Sequence, residues 1–457
     1  MKNNKFYKID MEIPFEVKYA VTRLSSKGYR AYPVGGCVRD CLLGKEPSDW
    51  DITTDAKPRE IIQALEGNLV IETGIKHGTV TLVKNNKMVE ITTFRFDGEY
   101  KDFRHPDKVY FTNEIVEDLQ RRDFTVNAMA IDLSREELID PFDGEEDLAK
   151  KVIRCVGTPE KRFSEDALRI LRGLRFASVY NFEIEKRTSE ALVNLRNNLR
   201  NIAVERIKVE MDKLLLGDGA AEILREYTDV FQVFMPEIKP MVGFEQKNIH
   251  HIYDVWEHTL IVIENSPKDG ILRWAALFHD MGKPNSYFFG DDGQGHFYGH
   301  GKESARIANE IMLRLRFDNE SRKSINELVL HHDEVLTPTK KSIRRRLNRM
   351  GEENFRRLIA LAKADNLGQN PKYRDRFKNL MSVEKLLDDI IEGQECFSLK
   401  DMNVNGKDMI SLGYRGKEIG KILDNLLNQV IEEKIENNRE ELLKEAAKRK
   451  KNEKTID

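Results

Sequence analysis

Between residues 29 and 133 the chain alternates short runs rich in β-branched and aromatic residues with clusters of turn formers. YRAYPV, DWDITT, NLVIET, TVTLVK and MVEITTF are separated by segments such as Gly-Gly, GKEPS and KNNK, the pattern of half-buried strands joined by turns. PREIIQALEG interrupts that rhythm, and its early proline and closing glycine predict a helix. The region therefore reads as a mixed α/β unit. From about 164 to 230 the apolar period lengthens to that of a helix, as in LRILRGLRFA and ERIKVEMDKLLLG. Residues 250–390 read as wholly helical, with histidines at helix ends. The last thirty residues, dense in Lys and Glu with KRKK at 448–451, predict an exposed helix with a frayed tail.

A chain of 457 residues is too long for one ordinary core and predicts two to four units. Hydrophobic residues at 40% and charged residues at 33% fit a soluble, helix-rich protein. No apolar run approaches the roughly 20 residues of a membrane span, and the first residues lack the apolar stretch of a signal peptide. Four scattered cysteines (37, 41, 155 and 396) do not make a disulfide framework, so a reducing cytoplasm is expected. The net charge of −3, from 75 basic and 78 acidic residues, lacks the basic excess of a typical nucleic-acid binder. Any such binding must come from local clusters. Residues 335–350 hold six basic residues and no acid, which fits either a grip on RNA phosphates or a solvated helix face. Eight of the ten histidines fall between His250 and His332, which marks a candidate metal site.

The most informative early stretch is YPVGGCVRDCLLGKEPSDWDITTD. A strand runs into Gly35-Gly36 and a short helix follows, so backbone amides can approach a phosphate there. In DWDIT, alternation along a strand puts Asp49 and Asp51 on one side and Trp50 toward the core. Two neighbouring carboxylates repel unless cations lie between them, and Mg²⁺ bridging substrate phosphates meets that need. Glu90, between Val89 and Ile91, faces away from their apolar side. It either completes the carboxylate set or faces water. In RRDFTVNAMAID, the Arg121 and Arg122 forks suit triphosphate oxygens, while Asp123 and Asn127 suit a ribose hydroxyl.

GGxVRDxLLG, DxD, RRDFTxNAMA, DPFDG (140–144) and SEDALRILRGLRFA occur in that order. Together they resemble the class II tRNA nucleotidyltransferase family, which contains the CCA-adding enzymes and bacterial poly(A) polymerases. The resemblance covers about residues 20–215. It implies that Asp49 and Asp51 hold two catalytic Mg²⁺ ions, with Glu90 beside them. It also implies nucleotide contacts from Gly36, Arg39, Arg121, Arg122, Asp123, Asn127, Arg172 and Arg175. The family's EDxxR motif falls on Glu165, Asp166 and Arg169. Asp166 and Arg169, three apart, are expected to share a helix face. C and A each present an amino donor beside a ring-nitrogen acceptor, so a carboxylate and a guanidinium select them without a template. U and G leave both side chains unpaired, which is costly in a closed pocket. TGIKHGTVTLV (73–83) resembles the CCA-adding branch rather than the poly(A) branch. Segment 94–111 resembles the full-length, mobile loop of enzymes that add all three nucleotides; enzymes adding only CC have a shorter one.

HHIYDVWEHTLIVI and RWAALFHDMGKP resemble the HD superfamily of metal-dependent phosphohydrolases. That resemblance implies a divalent transition metal held by His258, His279, Asp280 and Asp365, with His300 and His331 (or His332) as further ligands of a dinuclear site. His250 and His251 have no assigned role. The expected fold is α+β: a polymerase-β-like nucleotidyltransferase head at 1–150, then an all-α neck at 151–240, an HD domain at 241–385 and a helical tail at 386–457. The expected function is template-independent CCA addition to tRNA from CTP and ATP, with an HD phosphohydrolase serving 3′-end repair. The rival readings are a poly(A) polymerase, a CC-only or A-only enzyme, and an HD phosphohydrolase with an RNA-binding head.

Overall fold

The computed structural model describes residues 12–98, 109–374 and 376–453. Most of the expected mobile loop, residues 99–108, lies outside them. The chain divides into two compact units, Met1–Pro236 and Glu237–Asp457.

The first unit is built on a five-stranded mixed sheet. Its strands are β1 (Ala31–Pro33), β2 (Trp50–Thr54), β3 (Leu69–Ile71), β4 (Thr79–Lys84) and β5 (Lys87–Thr93), in spatial order β1-β2-β5-β4-β3. Each coincides with one of the predicted runs, and the predicted helix forms at Pro58–Ala64. Alternation explains the burial. In β2, Trp50 and Ile52 are buried; in β5, Val89 and Ile91 are buried while Glu90 between them is exposed. The β2–β5 pair is parallel and aligns Trp50 with Val89 and Asp51 with Glu90. The other pairs in the sheet are antiparallel. After this sheet the unit becomes mainly helical, with helices Pro159–Glu165, Leu168–Tyr180 and Val204–Leu215 among its elements. Leu168–Tyr180 buries Ile170, Leu171, Leu174 and Ala177 along one stripe.

The second unit is almost wholly helical. Val255–Asn265, Gly270–Phe278, His300–Arg314, Asn319–His331 and the long Lys340–Gly368 helix surround the histidine cluster. Gly351, at φ 74° and ψ 168°, kinks the long helix, a conformation that glycine adopts without a Cβ penalty. The C-terminal segment departs from expectation. The Arg439–Glu453 helix buries Leu442 and Ala446 against Met409, Tyr414 and Leu426. Within KRKK, Lys450 pairs with Glu418 at 2.7 Å and lies 4.5 Å from the Tyr414 ring centre. Leu442 and Ala446 one turn apart, with Leu443 packed beside them, anchor a helix that otherwise reads as polar.

Candidate functional site

In the first unit the sheet register assembles a set of carboxylates. Asp49 is exposed just ahead of β2, Asp51 is partly buried within it, and Glu90 stands opposite Asp51 on β5. Neighbouring strands lie about 4.8 Å apart, so Glu90 is a direct neighbour of Asp51. Burial lifts the Asp51 carboxyl to about 6; Arg122 opposes the rise, and Glu90 and Asp49 add to it. Negative charge crowded at a partly dry position fits a divalent cation.

The Gly35-Gly36 turn sits beside this set. The Val34 amide donates to the Asp51 carbonyl (3.0 Å), and the Gly35 amide to the Met129 carbonyl (3.0 Å). Gly35 has φ +84°, and a Cβ there would lie 2.7 Å from Arg122 Nη1. The positive φ is what calls for glycine, and a Cβ would push the Arg122 guanidinium tip away from the turn. Gly36 begins the short Gly36–Leu42 helix, which carries Arg39. Buried Arg39 donates to Asn127 Oδ1 (2.5 Å) and lies 4.7 Å from the Tyr180 ring centre. Asn127 in turn donates to Asp123 (3.0 Å), whose other oxygen accepts from Arg172 (2.7 Å). Burial works against the Asp123 charge, but Arg172 and Asn127 outweigh it and hold the carboxyl well below its ordinary range. Arg39, Asn127, Asp123 and Arg172 thus form one connected row.

Arg121 and Arg122 both reach Asp118, at 2.9 and 3.5 Å. Asp118 is fully buried and also accepts from Thr53 (3.0 Å). It was missed in the sequence, where its only signal is an acid one helical turn before the arginine pair. Arg175 pairs with Glu210 at 2.8 Å and stacks on Phe176.

The EDxxR residues correct one expectation. Asp166 and Arg169 do not share a helix: Pro159–Glu165 stops at Asp166 (φ −137°, ψ 104°), and Arg169 belongs to the next helix. The cause is local. Asp166 accepts the Leu168 amide at 3.0 Å, a side-chain-to-backbone bond that competes with helix continuation. The two side chains hold different partners. Arg169 donates to Glu165 (2.7 Å), and Asp166 accepts from Arg206 (3.1 Å).

The second unit gathers His258, His279, Asp280, His300, His332 and Asp365. Four histidines share one arrangement. Nδ1–H donates to a backbone carbonyl in His258 (Gly368, 3.2 Å), His279 (Ala276, 2.7 Å), His300 (Phe297, 2.8 Å) and His332 (Val329, 2.7 Å). A carbonyl only accepts, so each neutral ring is left with a lone pair on Nε2. These lone pairs converge: Nε2 atoms of His258 and His279 are 3.4 Å apart, and those of His300 and His332 are 3.1 Å apart. Asp280 lies between the pairs. Its Oδ2 is 3.4 Å from His258 and 3.2 Å from His279, while its Oδ1 is 3.4 Å from His300 and 3.6 Å from His332. Asp365 adds an oxygen 3.0 Å from His258 Nε2. Facing lone pairs repel, and burial holds His300 below the ordinary histidine range, which disfavours a shared proton. Metal cations on either side of Asp280 resolve both problems, and these atoms form two potential metal-holding groups that share Asp280.

Of the two expected alternatives, His331 is not in this set and His332 is. The His331 Nδ1 is 2.5 Å from Glu334 Oε1. Consecutive helical residues point about 100° apart, so only one of the two neighbours can face the centre, and that one is His332. Sequence reading also missed buried Lys283, 2.7 Å from Asp280 Oδ2 and bonded to Gln246. His251 stands edge-on to His258, and burial pushes it down to about 2. Outside this centre, five of the six basic residues of the 335–350 cluster are ion-paired to carboxylates elsewhere in the unit. Lys340 and Arg344 pair with Glu395, Lys341 and Arg345 with Glu432, and Arg346 with Glu334.

Two carboxylates on adjoining parallel strands and a third just ahead of one of them, beside a glycine turn and followed by helices, define a nucleotidyltransferase head of the polymerase-β type with an appended helical unit. Residues 31–154 match the family described as the poly A polymerase head domain, and residues 302–446 match tRNA nucleotidyltransferase domain 2. The chain is 38% identical to the CCA-adding enzyme of Staphylococcus epidermidis over 292 residues, covering 60% of this chain and 72% of that one. It is 52% identical to the CCA-adding enzyme of Leuconostoc mesenteroides over 204 residues, 45% of this chain and 50% of the relative. The chain thus spans about half the length of the Leuconostoc mesenteroides relative, and likewise of the Enterococcus faecalis CCA-adding enzyme that it also matches. The crystal structure of the Bacillus stearothermophilus CCA-adding enzyme in complex with CTP superposes with a TM-score of 0.67. It is 27% identical, and the match covers 98% of this chain and 100% of that one. The chain belongs to the CCA-adding enzyme family of tRNA nucleotidyltransferases. Nucleotidyltransferases of this class use a divalent metal, typically Mg²⁺. Among the described residues no helix is long and apolar enough to cross a membrane.

Proposed function

We propose that this chain is a cytoplasmic, template-independent CCA-adding enzyme that extends the 3′ end of tRNA with C, C and A from CTP and ATP. The observation that carries the reading is the register pairing of Asp51 with Glu90, with Asp49 two residues upstream. In each step the RNA 3′-oxygen forms a bond to the α-phosphorus and loses its proton. The bond from that phosphorus to the β-phosphate oxygen breaks, and pyrophosphate leaves. Mg²⁺ ions held by Asp49, Asp51 and Glu90 would supply charge neutralisation for the attacking and leaving oxygens. Arg121 and Arg122, poised on Asp118, are suited to the triphosphate, and the row from Arg39 to Arg172 to the sugar and its phosphate. Asp166 and Arg169 are the base selectors, and selection requires both to exchange their protein partners, Arg206 and Glu165, for the base. The CTP complex of the Bacillus stearothermophilus enzyme, which shares this fold, and the 52% identity to the Leuconostoc mesenteroides enzyme over 204 residues support this assignment.

The test is extension of a tRNA transcript ending before CCA, with Mg²⁺ and CTP, ATP or both, resolved one nucleotide at a time. Two additions with CTP and a third only with ATP, then arrest, are expected. A long ladder with ATP alone identifies a poly(A) polymerase, and CC alone or A alone identifies a divided pathway. Asp49→Ala must abolish incorporation.

A second reading is favoured by the convergent Nε2 lone pairs around Asp280. We infer a metal-dependent phosphohydrolase of the HD type, using a divalent transition metal and acting in 3′-end repair. When bound, the metal would supply an activated water; His258, His279, Asp280, His300, His332 and Asp365 would hold it, and Lys283 would favour an anionic phosphate. Absence of hydrolysis of 2′,3′-cyclic nucleotides with added Mn²⁺, Co²⁺ or Ni²⁺ would sink this reading.

A further inference from the structure

The cavity that opens onto Asp280, His300, His332 and Asp365 has a volume of about 250 Å³. That is below the roughly 300–1,000 Å³ of pockets that enclose a whole small-molecule ligand. It suits a phosphoryl group and leaves the remainder of an ester at the rim. The rim is aromatic. A two-stranded hairpin, Phe288–Phe289 paired with Gly295–His296, carries exposed rings: Tyr298 is 75% exposed, Phe289 58% and Phe288 45%. The rings of Phe288, His296 and Tyr298 lie 5.1–5.4 Å apart in all three pairings, with interplanar angles of 24°, 9° and 33°. They are offset-stacked into one cluster whose outer rings stay exposed, whereas scattered exposure is what single surface aromatics ordinarily show.

Two further contacts make this a fixed surface. His296 Nε2 lies 3.0 Å from both Asp292 oxygens, which sets the ring orientation and occupies its nitrogen. The Phe297 carbonyl between His296 and Tyr298 accepts the His300 Nδ1–H at 2.8 Å. The aromatic stack is thus tied through one backbone carbonyl to a side chain of the metal-type centre. Both His296 and Tyr298 line the cavity itself.

We propose that Phe288, His296 and Tyr298 form a base-stacking subsite, so that the His/Asp centre acts on a phosphate carried by a nucleoside rather than on phosphate esters in general. This rests on the reading of that centre as a phosphohydrolase. Stacking tolerates any base because every base has a π-face. The subsite therefore confers selection for nucleotides without selection among them, as a device acting on diverse RNA ends or nucleotides requires.

The probe is 2-aminopurine riboside 5′-monophosphate, whose fluorescence is quenched by stacking, titrated into the full-length protein. Metal content is measured on the same samples. Tyr298→Ala is expected to weaken binding by about tenfold, which is about 1.4 kcal/mol, and Tyr298→Phe to leave it within about twofold, since the stacking face is kept. Ribose 5-phosphate, which lacks the base, should bind both proteins equally. Nucleotide bound at the head contributes the same background to every variant. Equal probe affinity for Tyr298→Ala and wild type, with metal present, overturns the subsite and leaves the centre standing. An equal loss for ribose 5-phosphate also overturns it. A metal-free protein that still shows Tyr298-dependent quenching supports the subsite while removing the phosphohydrolase reading. A short RNA with 2-aminopurine and a phosphate at its 3′ end separates the sources. Tighter binding than the mononucleotide assigns the site to RNA ends, and equal binding assigns it to free nucleotides.

Discussion

Replacing Asp51 by Asn should make the metal-free protein more stable while removing its activity. Burial, with Glu90 and Asp49 nearby, raises the Asp51 carboxyl from an ordinary 3.8 to about 6. About two pKa units correspond to up to about 3 kcal/mol at 1.36 kcal/mol per unit. Because the folded chain holds this proton more tightly than the unfolded one, stability falls as pH rises from about 4 to about 6. It stays at the lower level above that range. Asparagine keeps the shape and cannot ionise, so the gain is full at pH 7.5 and fades toward pH 4. For a unit of this size it amounts to a rise in Tm of up to about 6–12 °C. The assay is thermal or urea unfolding in EDTA, at pH 7.5 and pH 4.5, with and without Asp51→Asn. Added Mg²⁺ should then stabilise the wild type and leave the variant nearly unmoved, because the cation removes the same repulsion. A variant less stable than wild type at pH 7.5, or a difference of the same size at both pH values, would refute the reasoning.

Three further outcomes are expected. Asp280→Asn should lose most bound transition metal by elemental analysis, since Asp280 serves both histidine pairs, while nucleotide incorporation by the head is unchanged. Asp166→Ala should relax the choice of base, with misincorporation of UMP or GMP in single-nucleotide extension rising about tenfold or more against CMP, the discrimination of about 1–3 kcal/mol lost with an unpaired acceptor. Lys341→Ala with Arg345→Ala should leave the salt dependence of tRNA binding unchanged, because both side chains already pair with Glu432. Two lost phosphate contacts would instead flatten the slope of log K against log salt by about 1.5.

The strands of the head were legible because alternation is written into each short run, and Trp50, Val89 and Ile91 are buried as their spacing requires. The role of Glu90 was not legible at the same level. Its placement opposite Asp51 depends on β5 pairing parallel to β2 across an intervening hairpin, a long-range choice that local pattern does not encode. Asp118 was hidden for a related reason. A buried acid is indistinguishable from a solvated one until the Thr53 hydroxyl and the arginines that satisfy it are seen together.

Where sequence reasoning went astray, a short-range competitor or a distant partner decided the matter. The helical period of residues 159–180 looked continuous, yet one aspartate accepting the Leu168 amide was enough to break it at Asp166. That break has a consequence for chemistry. Held in one helix, Asp166 and Arg169 would pair with each other at i,i+3 and neutralise the polarity that a base must read. Separated by the break, they hold Arg206 and Glu165 instead, so in the proposed role each would be released independently toward its own partner atom on the base. The 335–350 cluster, which the sequence leaves open between a grip on RNA and a solvated face, shows the distant case: Glu395 and Glu432, which pair with four of its six cations, lie about 50 to 90 residues further along the chain. A run of arginines is therefore evidence for RNA binding only after the carboxylates of the folded protein have been counted against it.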